Sequence, residues 1–390
     1  MLVARGLAFL FYLILARVFE PGAYGEIQYS IAIAEIIAVG TQPFGQHVLA
    51  RFIGKYKESP DDLARFFSNA WVILVSIFAL TLILAIPTLA FLSLQSVGIL
   101  VVVAGTTIFY AYWGLARGFL ASRRLVVAYL GSNLLQLILT FWLIQLLAIK
   151  SVSLALVIYG GTYLLPLALL QITRPLILSF DHHLINWNTI KPILRFSLPI
   201  WLSHAMYMLT LTLDILLLKH FSDSEILGRY SLAKNISALF IFIPTGISTI
   251  LMPRVASLPE RDHNKLLIQS LALSLAINLG VLAALLLLGN WAVRRFFGPG
   301  YLSSPTTVLV LATGMIVLGI HAIFSSVQVG KGRANWETIS RFVILVVSIS
   351  VGWFMIPVYA DLGAALSVLA GGGSGMIAYG ILFFLNRRAL

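Results

Sequence analysis

The chain alternates between long apolar stretches and short polar connections, and this pattern predicts membrane-spanning helices. Crossing a hydrocarbon core of about 30 Å takes about 20 apolar residues in a helix. Breakers such as Glu20-Pro21-Gly22 and Gly298-Pro299-Gly300 fall between the stretches, where the backbone can bond to water. The pattern predicts twelve spans, at about residues 2–18, 23–43, 66–91, 97–117, 124–147, 151–171, 196–219, 226–252, 265–289, 303–327, 338–357 and 362–385.

The composition supports a chain whose solvent is lipid. Of 390 residues, 60% are hydrophobic and 10% are charged, which excludes a water-soluble globular protein. The longest connection, roughly Thr173 to Arg195, leaves no room for a large soluble domain. The chain contains no Cys, which excludes disulfides and thiolate metal sites. We expect membrane lipids as partners and no nucleic acid, because topology and anionic headgroups explain most of the net charge of +12.

The distribution of Lys and Arg predicts the orientation of the chain. The connections after spans 2, 4, 6, 8 and 10, together with the C-terminus, hold eighteen of these residues, and the alternate connections hold six. Cytoplasmic connections carry the excess of positive charge. We therefore expect both termini to face the cytoplasm, in a multi-pass protein of the cytoplasmic (inner) membrane.

Two halves of the sequence repeat the same spacings, which predicts an internal duplication. Gly25 and Gly228 each lie 26 positions before an arginine, at Arg51 and Arg254. Arg123 also precedes Ser153 by 30 positions, as Arg333 precedes Gly363. The predicted fold is all-α, with a six-helix lobe at 1–180 and another at 181–390. Because six is even, we expect a pseudo-two-fold axis along the membrane normal and a cleft between the lobes.

Charged residues inside the spans are candidates for function, because they are costly in lipid. Arg5 and Lys234 lie within spans 1 and 8, where each contacts an anionic cargo or snorkels to the membrane surface. Glu26 opens span 2, where it binds cargo or simply favours the helix N-terminus. Glu35 and Asp214 either pair with polar neighbours or titrate with a coupling proton.

Histidines offer a weaker case for chemistry. His204 lies alone in span 7, where it is hydrogen-bonded within the bundle or contacts a glycan. Asp181-His182-His183 lacks a third ligand at helical spacing, so we expect no metal site. No constellation of catalytic residues is present in the motifs, and we expect neither a cofactor nor enzymatic activity.

Several motifs together resemble those of one transporter family. The chain is similar to the polysaccharide (O-antigen type) flippase branch of the multidrug/oligosaccharidyl-lipid/polysaccharide exporter superfamily over nearly its whole length. The similarity rests on the order and spacing of Ala16-Arg17-Val18-Phe19-Glu20-Pro21-Gly22-Ala23-Tyr24-Gly25, Phe196-Ser197-Leu198-Pro199, Leu213-Asp214-Ile215-Leu216-Leu217-Leu218, Ile250-Leu251-Met252-Pro253-Arg254, Phe297-Gly298-Pro299-Gly300-Tyr301, Ile356-Pro357-Val358-Tyr359 and Leu362-Gly363-Ala364-Ala365.

The resemblance implies a transporter of two lobes that moves a lipid-linked oligosaccharide by alternating access. Spans 1, 2, 7 and 8 are then expected to line the cavity. Arg5, Glu26 and Lys234 match cargo-site positions of related lipid-linked peptidoglycan flippases, and Phe11 stands where those relatives carry a second basic residue. Relatives have about ten to fifteen more residues before Ala16-Arg17, so span 1 is expected to be clipped. We expect a monomer that works with glycan-assembly proteins, and a Lys234→Ala variant that folds without transporting.

Two other functions fit parts of the sequence. A cation-coupled exporter of small molecules would share the scaffold and would favour a cavity of carboxylates and aromatic residues over Arg5 and Lys234. A membrane glycosyltransferase or polymerase would carry catalytic groups in a sizeable extracytoplasmic loop. The longest connection on that side, Asn290 to Leu302, has no carboxylate. The sequence therefore favours a transporter over an enzyme.

Overall fold

The apolar stretches form helices throughout the part of the chain that the computed structural model describes, residues 2–91, 96–119, 122–146, 149–165, 181–257 and 259–387. Each of the twelve predicted spans overlaps at least one of these helices. Within the described ranges, nine helices are long and apolar enough to cross a membrane, and Gly6–Val18 and Val152–Thr162 are shorter apolar helices. The predicted all-α, multi-pass membrane fold is confirmed.

In its described residues, the first half of the chain contains seven α-helices and two short π-helical segments. The π-helical segments are Phe44–Leu49 and Thr140–Leu146. The α-helices are α1 (Leu2–Val18), α2 (Pro21–Ala38), α3 (Ala50–Tyr56), α4 (Pro60–Phe91), α5 (Ser96–Gly118), α6 (Ser122–Leu139) and α7 (Val152–Thr162).

The second half continues the helical pattern after a 3₁₀ turn at His182–Leu184. Another 3₁₀ turn, Pro299–Tyr301, follows the longest helix of the described chain. The α-helices are α8 (Trp187–Phe221), α9 (Ser224–Ser237), α10 (Leu239–Ser257), α11 (Glu260–Phe296), α12 (Pro305–Gly330), α13 (Ala334–Tyr359) and α14 (Asp361–Arg387).

These helices divide into two compact units that do not follow chain order strictly. The first unit contains Met1–Val18 and Tyr29–Met208, and the second contains Phe19–Gln28 and Leu209–Leu390. The start of α2, up to Gln28, therefore belongs with the C-terminal helices. The part of α8 up to Met208, which is most of that helix, belongs with the N-terminal ones. The lobe boundary predicted at residue 180 lies outside the described residues and stays a prediction.

The first unit buries a segment that we expected to be a loop. Helix α8 begins at Trp187, nine residues before the predicted start of span 7. Ile190 and Ile193 are buried in a cluster that includes Phe52 and Phe66. Burying apolar side chains on a helix face favours helix over an exposed connection. The prediction of a long loop to Arg195 was wrong for this reason.

Close glycine contacts of α5 in the first unit recur in α12 of the second. A Cβ atom on Gly105 of α5 would meet the backbone of Gly160 in α7. In the second unit, a Cβ atom on Gly314 of α12 would lie 3.0 Å from the nitrogen of Leu369 in α14. Both partners are displaced by 209 positions, from 105 to 314 and from 160 to 369. The repeated contact supports the duplication predicted from sequence spacing.

The eighth predicted span, 226–252, corresponds to the candidate membrane span Ser224–Met252. Within it, α9 ends at Ser237 and α10 begins at Leu239, with Ala238 between them. Pro244 lies inside α10 and has no N–H with which to bond the carbonyl of Phe240 one turn earlier. Asn278 of α11 replaces that donor, with its Nδ2 donating to the Phe240 oxygen over 3.1 Å in a buried position. The carbonyl that the proline leaves without a backbone donor thus has a partner on the next helix.

The longest described helix exposes apolar side chains in the manner of a lipid-facing surface. Helix α11 leaves Leu279 60% and Leu287 81% exposed, and Leu286 and Leu288 are also exposed. An apolar surface of this kind on a soluble monomer would aggregate or bind a partner. Within a bilayer it is the surface that faces hydrocarbon.

Candidate functional site

The second unit contains an ion pair between two adjacent membrane helices. Lys234 of α9 donates from Nζ to Oδ1 of Asp214 on α8 over 2.6 Å and to the carbonyl oxygen of Leu211 over 2.5 Å. The side chains of Lys234 and Asp214 are 12% and 2% exposed. Burial of a charge in lipid is tolerated when it is paired. The charge of Lys234 is therefore compensated by Asp214 inside the helix bundle, and the side chain does not snorkel in this structure.

Tyr230 completes the coordination of Asp214. It lies one helical turn before Lys234 on α9, and its hydroxyl donates to Oδ2 of Asp214 over 2.5 Å. The Tyr230 side chain is fully buried. Residues four apart share one face of a helix, so a single face of α9 supplies both donors to the carboxylate. We call Lys234, Asp214 and Tyr230 the buried triad.

Glu26 lies in a second polar cluster of the same unit. Its Oε1 accepts from Nζ of Lys219 at the end of α8 and from the hydroxyl of Ser224 at the start of α9. Lys219 also donates to Ser224 Oγ over 2.5 Å. Lys219 and Glu26 are 27% and 36% exposed, so water screens this pair more than it screens the buried triad. The simple helix-start interpretation of Glu26 is incomplete, because the carboxylate has specific partners.

Close backbone packing holds residues 19–28 beside α9. A Cβ atom on Gly25 would meet the Ser224 carbonyl, and one on Gly228 would meet the Pro21 carbonyl. Only glycine permits such an approach. These are the two glycines that open the repeated spans in the sequence, and the Gly25 Cβ position is 2.9 Å from the nitrogen of Gly228.

Asn235 links the buried triad to this packed segment. It follows Lys234 directly, and its Nδ2 donates to the hydroxyl of Tyr24 over 2.8 Å and to Oε1 of Gln28 over 3.3 Å. At the other end of the segment, the hydroxyl of Tyr301 donates to the Phe19 carbonyl over 2.8 Å. Burial raises the pKa of the Tyr301 hydroxyl, which keeps this donor protonated.

The other candidate residues lie in the first unit. Oε1 of Glu35 accepts from the hydroxyl of Tyr159 over 3.5 Å, and the Tyr12 hydroxyl donates to that of Tyr159 over 3.3 Å. Nε2 of His204 is 3.4 Å from Oε1 of Gln42. Both arrangements agree with the polar-packing interpretations of Glu35 and His204. Their roles in cargo contact or coupling stay predictions.

Arg5 cannot be placed in a site. The backbone of α1 includes residue 5, but the side chain of Arg5 lies outside the described residues. Phe11, the position where related flippases are expected to carry a second basic residue, is buried and stacks on Tyr159 at 5.7 Å between ring centroids. In this unit the position is therefore part of an aromatic core.

The histidine pair in the connector has a fixed backbone and an exposed surface. Asp181, His182 and His183 present ligand atoms within 4.8 Å of one another, and all three are exposed. Asn69 of α4 donates to the Leu184 carbonyl and accepts from the Asn186 N–H, each over 2.9 Å. This fixes the backbone directly after the histidines. The expectation that no metal binds here stays a prediction.

Sequence reasoning missed two partners in these clusters. Lys219 was counted only as a connection residue, and Asp214 was not paired with Lys234. The Lys219 and Glu26 positions are 193 residues apart, and Lys234 and Asp214 are 20 apart on different helices. No local periodicity connects such positions. The duplication could have suggested the first pair, since it aligns Gly25 with Gly228.

Comparison with known proteins identifies the family of this chain. A model of the polysaccharide biosynthesis protein family matches residues 1–240, which is more than half of the sequence. The chain belongs to this family. The resemblance inferred from the sequence motifs is thereby confirmed.

Three relatives of this polysaccharide biosynthesis protein show how widely the similarity extends. A membrane protein of Methanocaldococcus jannaschii of uncharacterized function is 25% identical over 393 residues, covering 94% of this chain and 91% of the relative. The probable flippase AglR of Haloferax volcanii is 28% identical over 176 residues, or 43% and 37% of the two chains. The capsular polysaccharide biosynthesis protein CapF of Staphylococcus aureus is 24% identical over 255 residues, or 59% and 63%.

Solved structures share the fold of this family member. An inward-facing multidrug resistance MATE family transporter of the MOP superfamily has a TM-score of 0.74 at 16% identity, covering 96% of this chain and 92% of that one. Lipid II flippase MurJ, in an inward closed conformation, has a TM-score of 0.70 at 14% identity, covering 99% and 88%. At these identities the likeness establishes the fold.

Proposed function

We propose that this protein is a flippase that moves a polyprenyl-diphosphate-linked oligosaccharide across the cytoplasmic membrane by alternating access, for the synthesis of a cell-surface glycan. The main support is the family match over residues 1–240, which places the chain among polysaccharide biosynthesis proteins. The names of two relatives agree, since AglR is a probable flippase and CapF acts in capsular polysaccharide biosynthesis. The assignment of a lipid-linked diphosphate as cargo is our inference.

The chemistry of such a cargo explains why the protein needs charge within the membrane. The prenyl tail can remain in hydrocarbon, but the diphosphate is strongly penalised there unless cations accompany it. Lys234 is a basic residue within a membrane span, and its Nζ is buried beside the Asp214 carboxylate. Its ammonium group has three donors, and a diphosphate offers the acceptors that match them. Lys234 is therefore our first choice for the anion contact.

Glu26, His204 and Arg5 complete the proposed cargo contacts. Glu26 and His204 can bond to glycan hydroxyls, because both carry groups that exchange hydrogen bonds with sugars. Arg5 would add a second positive charge. The proposal treats the protein as a transporter without covalent chemistry, with both termini in the cytoplasm, acting as a monomer beside glycan-assembly proteins.

The second candidate is a cation-coupled exporter of small molecules. The structural likeness to a MATE transporter shows that the same fold occurs in multidrug resistance proteins. The Glu35 carboxylate beside Tyr12 and Tyr159 is the specific observation in its favour, because carboxylates and aromatic rings attract organic cations. This arrangement belongs to the first unit, whereas Lys234 belongs to the second.

Reconstitution distinguishes the two candidates. Purified protein in liposomes is supplied with a fluorescent prenyl-diphosphate oligosaccharide, and a membrane-impermeant quencher reports how much label has changed leaflet. We expect protein-dependent translocation of this lipid, and no uptake of a fluorescent organic cation under a proton or sodium gradient. Transport of the cation in the absence of lipid translocation would reverse the assignment.

A further inference from the structure

The structure assigns Asp214 a role beyond packing: we propose that its carboxylate is an internal substitute for the cargo phosphate. When no cargo is bound, Asp214 holds the ammonium of Lys234, and a lipid diphosphate must displace it in order to bind. This inference rests on the proposed function, because it concerns the same cation. It makes Asp214 a competitor of the cargo phosphate for Lys234, and this competition sets the cargo affinity.

The geometry of Lys234 is that of an occupied anion site. Two of its three ammonium donors are used by Asp214 and by the Leu211 carbonyl, at 2.6 Å and 2.5 Å. Among the described residues, the third donor has no partner. A phosphate oxygen carries the same type of acceptor as a carboxylate oxygen and forms the same charge-assisted bond. Cargo can therefore replace Asp214 without rebuilding the site.

Asp214 differs from the other acidic residues in its burial. Among the described residues it is the buried carboxylate, with 2% exposure, whereas Glu26 is 36% exposed. A buried carboxylate that loses its cation is strongly penalised, since water cannot replace the partner. Releasing Lys234 to the cargo therefore takes free energy from cargo binding. A transporter benefits, because a site that binds too tightly cannot release.

Tyr230 makes the exchange feasible. Its hydroxyl donates to Oδ2 of Asp214, the oxygen that Lys234 does not use, over 2.5 Å. When Lys234 turns to a phosphate, Tyr230 still stabilises the carboxylate by a hydrogen bond to its charged form. The arrangement therefore predicts opposite effects on cargo affinity for changes at Asp214 and at Tyr230.

Binding measurements test the exchange. The full chain in nanodiscs is titrated with farnesyl diphosphate as a lipid-borne probe and with inorganic pyrophosphate as a free one. We expect Asp214→Asn to lower the Kd for farnesyl diphosphate by about tenfold, the factor that corresponds to about 1.4 kcal/mol. Tyr230→Phe should raise it several-fold. Both shifts should disappear when Lys234→Met is added. Pyrophosphate should bind more weakly than farnesyl diphosphate but show the same fold-changes in Kd, because the exchange concerns the phosphate contact.

A matched control tests whether loss of any carboxylate has the same result. Glu337 of α13 accepts from Arg341 one turn later, in an ion pair that shares no residue with the triad, and Glu337→Gln should leave the Kd unchanged. A purely structural pair predicts the reverse pattern for Asp214→Asn: lower melting temperature without tighter binding. That result would overturn the exchange. If Asp214→Asn does not fold, an unchanged Kd in Tyr230→Phe overturns it instead.

The outcome also separates this inference from the proposed function. Wild-type protein that binds farnesyl diphosphate and translocates the lipid, with Asp214→Asn unchanged, refutes only the exchange. Wild-type protein that neither binds nor translocates any lipid diphosphate refutes the proposed function and the exchange together.

Discussion

At the scale of single residues, the environment of Lys234 changes what its replacement should do. The sequence alone suggested that Lys234→Ala would stop transport and leave folding intact. In the structure the same change leaves the Asp214 carboxylate buried, with the Tyr230 hydroxyl as its remaining hydrogen-bond donor among the described residues. Breaking one side of a buried ion pair typically destabilises a protein by about 3–5 kcal/mol.

We therefore expect Lys234→Ala to abolish lipid translocation and also to lower thermal stability. The double variant Lys234→Met with Asp214→Asn should recover much of the stability, because it removes both charges, while translocation stays absent. Lys234→Arg should retain part of the activity. Thermal unfolding in detergent and the liposome assay measure the two properties separately. Normal transport by Lys234→Ala would exclude a role for this cation in carrying cargo.

At the scale of helices, the carbonyl of Phe240 in α10 depends on a residue from another element. Asn278 of α11 supplies the hydrogen bond that Pro244 cannot give to the Phe240 carbonyl. Removing that donor leaves a buried carbonyl without a partner, which typically destabilises by about 1–3 kcal/mol. Asn278→Leu should therefore reduce stability by about that amount.

The effect of Asn278→Leu should shrink in a Pro244→Ala background. Alanine at position 244 restores the backbone donor to Phe240, so the carbonyl no longer needs α11. A double-mutant cycle of unfolding free energies measures the coupling between the two positions. Additive effects would show that Asn278 stabilises α10 by some other contact.

The close approach of α9 to the start of α2 gives a second prediction at this scale. Gly228→Ala should destabilise the protein by about 1–3 kcal/mol, because the added Cβ would overlap the Pro21 carbonyl. Gly246→Ala in α10 is the matched control, since no heavy atom lies within 4 Å of the Cβ position there. The melting temperature of Gly228→Ala should therefore be lower than that of Gly246→Ala. Equal melting temperatures would contradict the observed packing.

The elements also show which parts of the fold could be read from the sequence. The spans were predicted because partition into lipid depends on local apolar content, and the repeat was predicted because duplicated glycines and arginines keep their spacing. The helical residues 187–195 and the bond from Asn278 to the Phe240 carbonyl were missed. The first depends on burial of Ile190 and Ile193 against distant helices, and the second joins residues 38 positions apart.

At the scale of the whole molecule, the orientation remains to be tested, and the sequence offers a direct route. The chain contains no Cys, so single cysteines can be introduced without a background. Glu58→Cys should react with a membrane-impermeant maleimide only from the cytoplasmic side, and Arg294→Cys only from the opposite side. Labelling in right-side-out and inverted vesicles measures both. The reverse pattern would invert the orientation predicted from the Lys and Arg distribution.

The two compact units exchange pieces of chain, and this has a consequence for how the protein can be divided. Residues 19–28 belong to the unit built mainly from the C-terminal helices, and residues 181–208 belong to the N-terminal one. A gene cut at the midpoint would give two polypeptides. Each would lack a segment that belongs to its own unit and would carry a segment that belongs to the other unit. Neither polypeptide should be stable when produced alone, yet co-production should restore both. We therefore expect each half of the sequence to need the other in order to fold.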